Sequence, residues 1–457
     1  MKKTIFPLIT VYIVSHNYGR YLSEAVESVF RQSFDNWELI IINDGSSDNT
    51  DEIIGLYKDH PKVEVYDTEG IGLPAVNNLA IKKSKGKYII RLDADDIFEE
   101  NILLVLSTYM HNHEDAALVF PDYYLMDDNG IVFSQEKNQA PHSEDHLMDS
   151  PPNGACSLIK KDVLVELGGY REDLGAQDGL DIWLKMKDKY MTGKVSLPLF
   201  FYRRHGKNLT EQPLKIFNAR RQIKKTTIQS SVKEIQPVLA IIPCRKNYDF
   251  VPDLWAAEIG GKSLLEMDIE SCLSSTLISK VIVACDNLGA KKIVDKFNSD
   301  KVIFCEREER DTLRSSNIVN TLKKIINRFD PNYNGLSVLR YVQSPFVTTE
   351  TIDEAISTIL VSDSESSCAV KELTNRIYKK TSFGLTPLSS DPDTLISTDE
   401  IYMDSSVSVA FKNSNIKKGT LKGARIAGFV VSSAESFFIS SKHDLMIAQE
   451  IFNLKEK

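Results

Sequence analysis

The sequence predicts an α/β protein of two successive domains, each a mainly parallel sheet covered by helices. Three observations carry that expectation. Apolar runs of strand length alternate with amphipathic stretches from the start of the chain. The alternation stops at a polar, partly basic segment after residue 205 and then restarts. Finally, 457 residues exceed what one hydrophobic core organises, at roughly 150 residues per domain.

The elements follow in order. "MKKTIFPLITVYIV" imitates a secretory signal, with two lysines before an apolar run, but it has no small-x-small cleavage site and leads straight into "SHNYGR"; it reads as a first strand. In "YLSEAVESVFRQ" the residues Leu22, Ala25, Val26, Val29 and Phe30 share one helical face. "WELIIIND" is the second strand, and "DGSSDNT" opens the next helix. "VEVYD", the helix around "LPAVNNLAIKKS" and "KYIIRLD" continue the βαβ rhythm of a parallel sheet buried on both faces. Ligands of such sheets sit at the carboxyl ends of the strands, where "NDGSSD" and "DADD" both fall. The stretch after residue 205 reads as an exposed helix and linker; from "VLAIIPC" onward, "KSLLEMDIESCLSS", "VIVACD", "VIFCE", "SVLRYVQ" and "ETIDEAISTIL" resume the alternation. The expected division is therefore a first domain at 1–210, a helical linker at 211–235 and a second domain at 236–457.

Composition narrows the class. A net charge of −9 lacks the basic face that nucleic acid requires, so no nucleic-acid partner is expected. The six cysteines, at 156, 244, 272, 285, 305 and 368, show no ligand-like spacing; they read as buried reduced thiols of a cytoplasmic protein. No apolar stretch approaches the roughly 18 residues that span a bilayer, which leaves only a peripheral contact with a membrane open.

"DADD" poses the chemical question. Asp93, Asp95 and Asp96 crowd three carboxylates at a strand end, an arrangement that is costly unless something positive sits there. In an extended segment Asp93 and Asp95 share a side, and a hard divalent cation bridging carboxylates to phosphate would answer the need. An acidic helix N-terminus would explain the same residues more simply.

The set "VYIVSHNYGRYLSEAVESVFRQSFDNWELIIINDGSSDNTDEI", "KGKYIIRLDADD" and "LGGYREDLGAQDGLDIWLKM" resembles, in order and spacing, the family 2 glycosyltransferases of the GT-A fold, over about residues 6 to 210. The resemblance implies a nucleotide-sugar donor across the first half of the domain and Mg²⁺ or Mn²⁺ on its diphosphate, held by Asp93 and Asp95 with Asp96 as helper. It implies nucleobase contacts from Asp44 and His16, while Asn43 replaces a frequent first aspartate. Val76 stands where many members carry arginine. Asp178 matches the family's catalytic base, beside Gln177 in place of a frequent glutamate. Its plainer role is a helix cap, and Asp181 ranks behind it. "FFYRRHGKNLT" resembles a family stretch that returns to metal and diphosphate, implying donor contacts from Arg203 and Arg204 and a metal ligand in His205. The pair His142 and His146 has metal-like spacing but lies in a polar loop. A hydrolase working with paired carboxylates would need no nucleotide-binding turn such as "NDGSSD".

"VLAIIPC", "GGKSLLEMDIESCLSS", "KVIVACD" and "LRYVQSPFVTTETIDEAI" resemble the cytidylyltransferases that make CMP-activated sugars, over about 236 to 455. The expected architecture is thus two Rossmann-like α/β domains, a GT-A fold followed by a cytidylyltransferase-like fold. The departures fall on chemistry. Arg245 and Lys246 remain in the first loop but its glycines do not, and Phe438 and Ser440 stand where the family has a metal-binding acid pair. The second domain is expected to be inactive and to serve dimerisation or regulation, giving a homodimer. The expected whole is a metal-dependent inverting glycosyltransferase acting on a glycan, lipid-linked or protein-linked acceptor. The alternatives are a bifunctional enzyme that also makes a CMP-sugar and a non-catalytic nucleotide-sugar-binding scaffold.

Overall fold

A computed structural model of the chain describes residues 7–138, 156–206, 208, 213–229, 231–313, 315–373, 377–382, 384–388 and 401–455. The chain divides into two units, one running to Ile223 and one from Lys224.

The first unit is built on strands β1 (Ile9–Ser15), β2 (Trp37–Asp44), β3 (Val63–Thr68), β4 (Tyr88–Asp93), β5 (Ile97–Phe98), β6 (Ala116–Met126), β7 (Val132–Glu136), β8 (Leu158–Lys160) and β9 (Met191–Arg203). They form one nine-stranded sheet in the order β3-β2-β1-β4-β8-β6-β9-β5, with β7 paired to β6. The pairs from β3 to β4 are parallel, and β8 joins β4 antiparallel. The α/β expectation holds. Helices α1 (Gly19–Phe30), α2 (Thr50–Gly55), α3 (Leu73–Lys83), α4 (Ile102–Asn112), α5 (Lys161–Glu166) and α6 (Asp178–Met186) connect the strands.

Every residue of β2 is buried, because alternate side chains meet different helices. Val11, Ile13, Leu39 and Ile41 pack with Leu22, Ala25, Val26 and Val29 of α1. Tyr12, Ile40 and Ile42 face the other way, against Val76 and Ala80 of α3. Val76, at the position of the family arginine, is therefore a core residue. The apolar run that imitated a signal sequence is β1 itself.

The second unit carries a seven-stranded sheet. Its strands Val238–Pro243, Lys280–Cys285, Val302–Glu306 and Leu336–Arg340 pair in parallel, and Tyr402–Lys412 runs antiparallel to the last of them. The helix Leu264–Leu273 starts at a capping box made by Ser263 and Glu266, which satisfies two backbone donors reciprocally. All six cysteines are unpaired. Among the described residues no helix is long and apolar enough to cross a membrane.

Candidate functional site

Three segments distant in sequence meet where β1, β2 and β4 end. The first is the turn after β2. Asp44 is 4% exposed, and its carboxylate accepts hydrogen bonds from Thr68 Oγ1 at 2.6 Å and Ile71 N at 2.7 Å on Oδ1, and from Gly72 N at 2.9 Å on Oδ2. It thereby clamps the loop after β3 onto the turn. Gly45 must be glycine here, since a Cβ would lie 2.8 Å from Gly70 N and its φ of 70° is left-handed. Asn43 builds the same turn, donating to Asp51 Oδ1 at 2.6 Å and accepting from Ser46 N at 3.0 Å. His16 is exposed, and its Nδ1 donates to the Asp44 carbonyl at 2.6 Å, leaving the ring presented at the strand end.

The second segment is the acidic turn. β4 ends at Asp93, and Asp96 N donates to Asp93 O at 3.0 Å, so the chain turns rather than continuing extended. The alternation that would put Asp93 and Asp95 on one side does not apply. Each acid instead has its own neighbour. Arg91 Nε lies 2.8 Å from Asp93 Oδ1, and His205 Nε2 lies 2.9 Å from Asp95 Oδ2. Asp96 Oδ1 accepts from the Arg203 backbone N–H at 2.9 Å. Asp96 Oδ2 is buried with no hydrogen-bond partner among the described residues. Burial, and then the charge of its neighbours Asp95 and Asp93, pushes the Asp96 carboxyl well up. Burial likewise raises Asp93, with Asp95 and Asp178 adding to it and Arg91 opposing. Tyr18 feels the same field: burial, then Asp95 and Asp93, push its hydroxyl up to about 12. Its ring meets His205 edge-on at 5.7 Å, while Tyr21 stacks on that imidazole at 5.4 Å. Among the described residues no group of three or more His, Cys, Asp or Glu side chains is arranged to hold a metal ion.

The third segment is the start of α6. Gln177 has a left-handed φ of 62° and Asp178 is the first helical residue, so Asp178 is not the cap of its helix. Its Oδ2 is bonded to Arg91 Nη1 and accepts from Asn77 Nδ2 at 3.0 Å. Tyr12 OH donates to Asn77 Oδ1 at 3.1 Å, completing a chain of contacts beside a small cavity of about 40 Å³ lined in part by Tyr12, Arg91, Tyr170 and Asp178. Asp181 is different: it is buried and pairs with Lys185 one helical turn on, at 2.7 Å.

The end of β9 turns its first arginine inward. Arg203 is 1% exposed, with Nε donating to Asp95 O at 2.8 Å, Nη1 to Asp128 O at 3.2 Å and Nη2 to Glu24 at 2.7 Å. Three of its five donors are thus spent on building the corner. Arg204 is exposed, and its backbone N–H continues the sheet edge to Met126 O. His142 and His146 lie outside the described residues.

Sequence reasoning missed Arg91, Asn77, Tyr12 and Asp128. The signal for Arg91 was within "RLDADD": in a strand, positions 91 and 93 point the same way.

In the second unit the corresponding strand ends are closed by local contacts. Lys246 N donates to Asp286 Oδ1 at 2.6 Å, and Arg245 lies over the Tyr248 ring at 4.9 Å. Phe438 packs against the core, and Ser440 Oγ donates to Asp444 Oδ2 at 2.7 Å, at the start of the final helix Lys442–Lys455.

The family model for Glycosyl transferase family 2 matches residues 10–165, and that for Cytidylyltransferase matches residues 239–430. An uncharacterized glycosyltransferase of Rickettsia bellii is 28% identical over 219 residues, 44% of this chain and 29% of that protein. Glycosyltransferase GlyG of Streptococcus pneumoniae is 36% identical over 124 residues, 27% of this chain and 41% of that protein. The solved structure of S. aureus TarS 1–349 in complex with UDP-GlcNAc matches with a TM-score of 0.41 and 18% identity, over 49% of this chain and 66% of that one. The chain thus spans less than half the length of these two curated relatives.

Proposed function

From a first unit that matches the family 2 glycosyltransferase model and a second that matches the cytidylyltransferase model, we propose that the protein is a glycosyltransferase. It moves a sugar from a nucleotide-sugar donor to a glycan, lipid-linked or protein-linked acceptor. The observation that carries the reading is the meeting of Asp93, Asp95, His205 and Asp178 at one set of strand ends, with Asp178 joined to β4 across 87 positions of sequence.

Two protein groups, short of a three-ligand cluster among the described residues, are the candidates to hold a divalent cation. Asp95 Oδ2 and His205 Nε2 already face each other at 2.9 Å, and Asp96 brings a buried oxygen without a partner. Magnesium is commonly held by one or two carboxylates with substrate phosphates and water completing the shell. Mg²⁺ or Mn²⁺ would thus be held by Asp95 and His205, with Asp93 beside them tied to Arg91. When bound, the metal neutralises charge on the departing nucleoside diphosphate.

The remaining chemistry belongs to the chain. Exposed His16 offers its ring to the base, and the Asp44 clamp shapes the wall on which the base rests. Asp178 accepts the acceptor's hydroxyl proton as that oxygen attacks, a contribution of about 10² to 10⁴ in rate. One displacement inverts the anomeric centre. The second unit, whose first loop lacks the family's glycines and where Phe438 and Ser440 stand in place of an acid pair, serves dimerisation or regulation without activating a sugar. The site is expected to work on the cytoplasmic side, where nucleotide sugars are made.

A thermal-shift screen of UDP-, GDP-, dTDP- and CMP-sugars with and without MnCl₂ tests the reading. One nucleotide class is expected to stabilise the first unit, only with metal. No stabilisation by any of them rejects it. Incubation with CTP and a nonulosonic acid tests the second unit, and formation of a CMP-sugar rejects its inactivity.

A further inference from the structure

We propose that Arg91 is a positioning residue that aims Asp178 at the acceptor and locks it to the acidic turn. This inference rests on the glycosyltransferase reading and deepens it. Arg91 stands on β4 opposite Tyr12 of β1, and Asp93 opposite Val14, so side chains 91 and 93 leave the same face of the sheet. The Arg91 side chain is 19% exposed. Its guanidinium reaches both carboxylates: Nε is 2.8 Å from Asp93 Oδ1, and Nη1 bonds Asp178 Oδ2. One planar cation thus stands between two acids that would otherwise repel, hydrogen-bonded to Asp178 and ion-paired with Asp93.

The division of labour on Asp178 is specific. Both partners that fix it, Arg91 Nη1 and Asn77 Nδ2, use Oδ2. Among the described residues no hydrogen bond engages Oδ1, which is left as the atom that takes the acceptor proton. Asn77 is in turn oriented by the Tyr12 hydroxyl. A carboxylate gripped on one oxygen and open on the other is fixed in angle without being consumed. Misplacing a reacting group by about 1 Å can cost roughly 100-fold in rate.

Lysine at 91 keeps the charge but is a point cation without the planar fork, so it cannot hold the Asp178 bond and the Asp93 ion pair at once. Arg91→Lys and Asn77→Ala are compared with the wild-type full chain. The readouts are release of nucleoside diphosphate and calorimetric affinity for whichever of UDP, GDP, dTDP or CMP binds with MnCl₂. Arg91→Lys is expected to lower kcat about 30-fold or more and Asn77→Ala about 10-fold, with nucleotide affinity within about threefold of wild type in both. Arg91→Ala is expected to regain part of its lost kcat when guanidinium is added at millimolar concentration, which a merely structural arginine would not do. If Arg91→Lys does not fold, Asn77→Ala and the guanidinium rescue decide. Turnover within about threefold of wild type in the lysine and Asn77 variants overturns the positioning role. So does a loss confined to nucleotide affinity with kcat intact. Absence of turnover in the wild-type chain with every donor overturns the glycosyltransferase reading itself, and the role of Arg91 with it.

Discussion

Replacing Asp44 by asparagine separates what the side chain does for the fold from what it does for a nucleobase. In the native turn Oδ1 receives Thr68 Oγ1 and Ile71 N, and Oδ2 receives Gly72 N at 2.9 Å. The amide oxygen of Asp44→Asn can keep the first two. Its NH₂ group then faces the Gly72 N–H, donor against donor. One charge-assisted bond worth about 1.5–3 kcal/mol is lost, and a part-buried donor is left unsatisfied at about 1 kcal/mol, for a combined loss of roughly 2.5–4 kcal/mol. For a unit of this size each kcal/mol moves the midpoint by about 2–4 °C, so the first unit is expected to melt roughly 5–16 °C lower. Calorimetry of the whole chain reads this directly, with the second unit's transition as internal reference. Thr68→Val removes only one neutral donor and leaves the charge in place, so it is expected to cost about 1 kcal/mol. A midpoint for Asp44→Asn within about 2 °C of wild type refutes the clamp, as does a Thr68→Val loss of equal size.

The other expectations follow from the same geometry. Asp178→Asn is expected to lose about 10² to 10⁴ in kcat while nucleotide binding stays at the wild-type level by calorimetry; retained turnover removes Asp178 from the role of base. His205→Ala leaves Asp95 without its 2.9 Å partner and is expected to abolish the MnCl₂-dependent part of nucleotide stabilisation in a thermal-shift assay. In the second unit the Lys296 ammonium, and then the Ser263 backbone N–H, hold the Glu266 carboxyl down at about 2, against an ordinary 4.5. A lowered carboxyl contributes stability that is complete above the ordinary value and is lost as pH falls through the lowered one. The second unit's melting temperature is therefore expected to drop between about pH 4.5 and 2, and Glu266→Gln to flatten that part of the profile.

Much of the fold was legible because parallel strands buried on both faces write themselves as continuous apolar runs: β1 and β2 are such runs, and the helix face Leu22, Ala25, Val26, Val29 is buried. Motif spacing found the acids and His205, since those residues are named by their neighbours in sequence. It could not find Asn77 or Asp128, whose partners lie 101 and 107 positions away and whose roles exist only once strands are in register. Arg203 is a different case. A basic residue close to the acidic turn in the motif order suggests a ligand contact, whereas three of its donors bond the protein itself. Arg91 is the instructive case, since a positive partner for Asp93, the first of the three aspartates, lay two residues upstream of it.

The burial of Arg203 also bears on how the corner comes into being. This one residue ties α1 through Glu24, the acidic turn through Asp95 and Asp96, and the hairpin through Asp128, and it arrives 107 positions after the turn it supports. Closing so long a loop comes late in assembly. A truncated chain ending before β9 would keep the parallel strands but expose a turn of mutually repelling acids with its keystone missing. The acidic corner and the last strand of the first unit should therefore be gained and lost together, as one cooperative event.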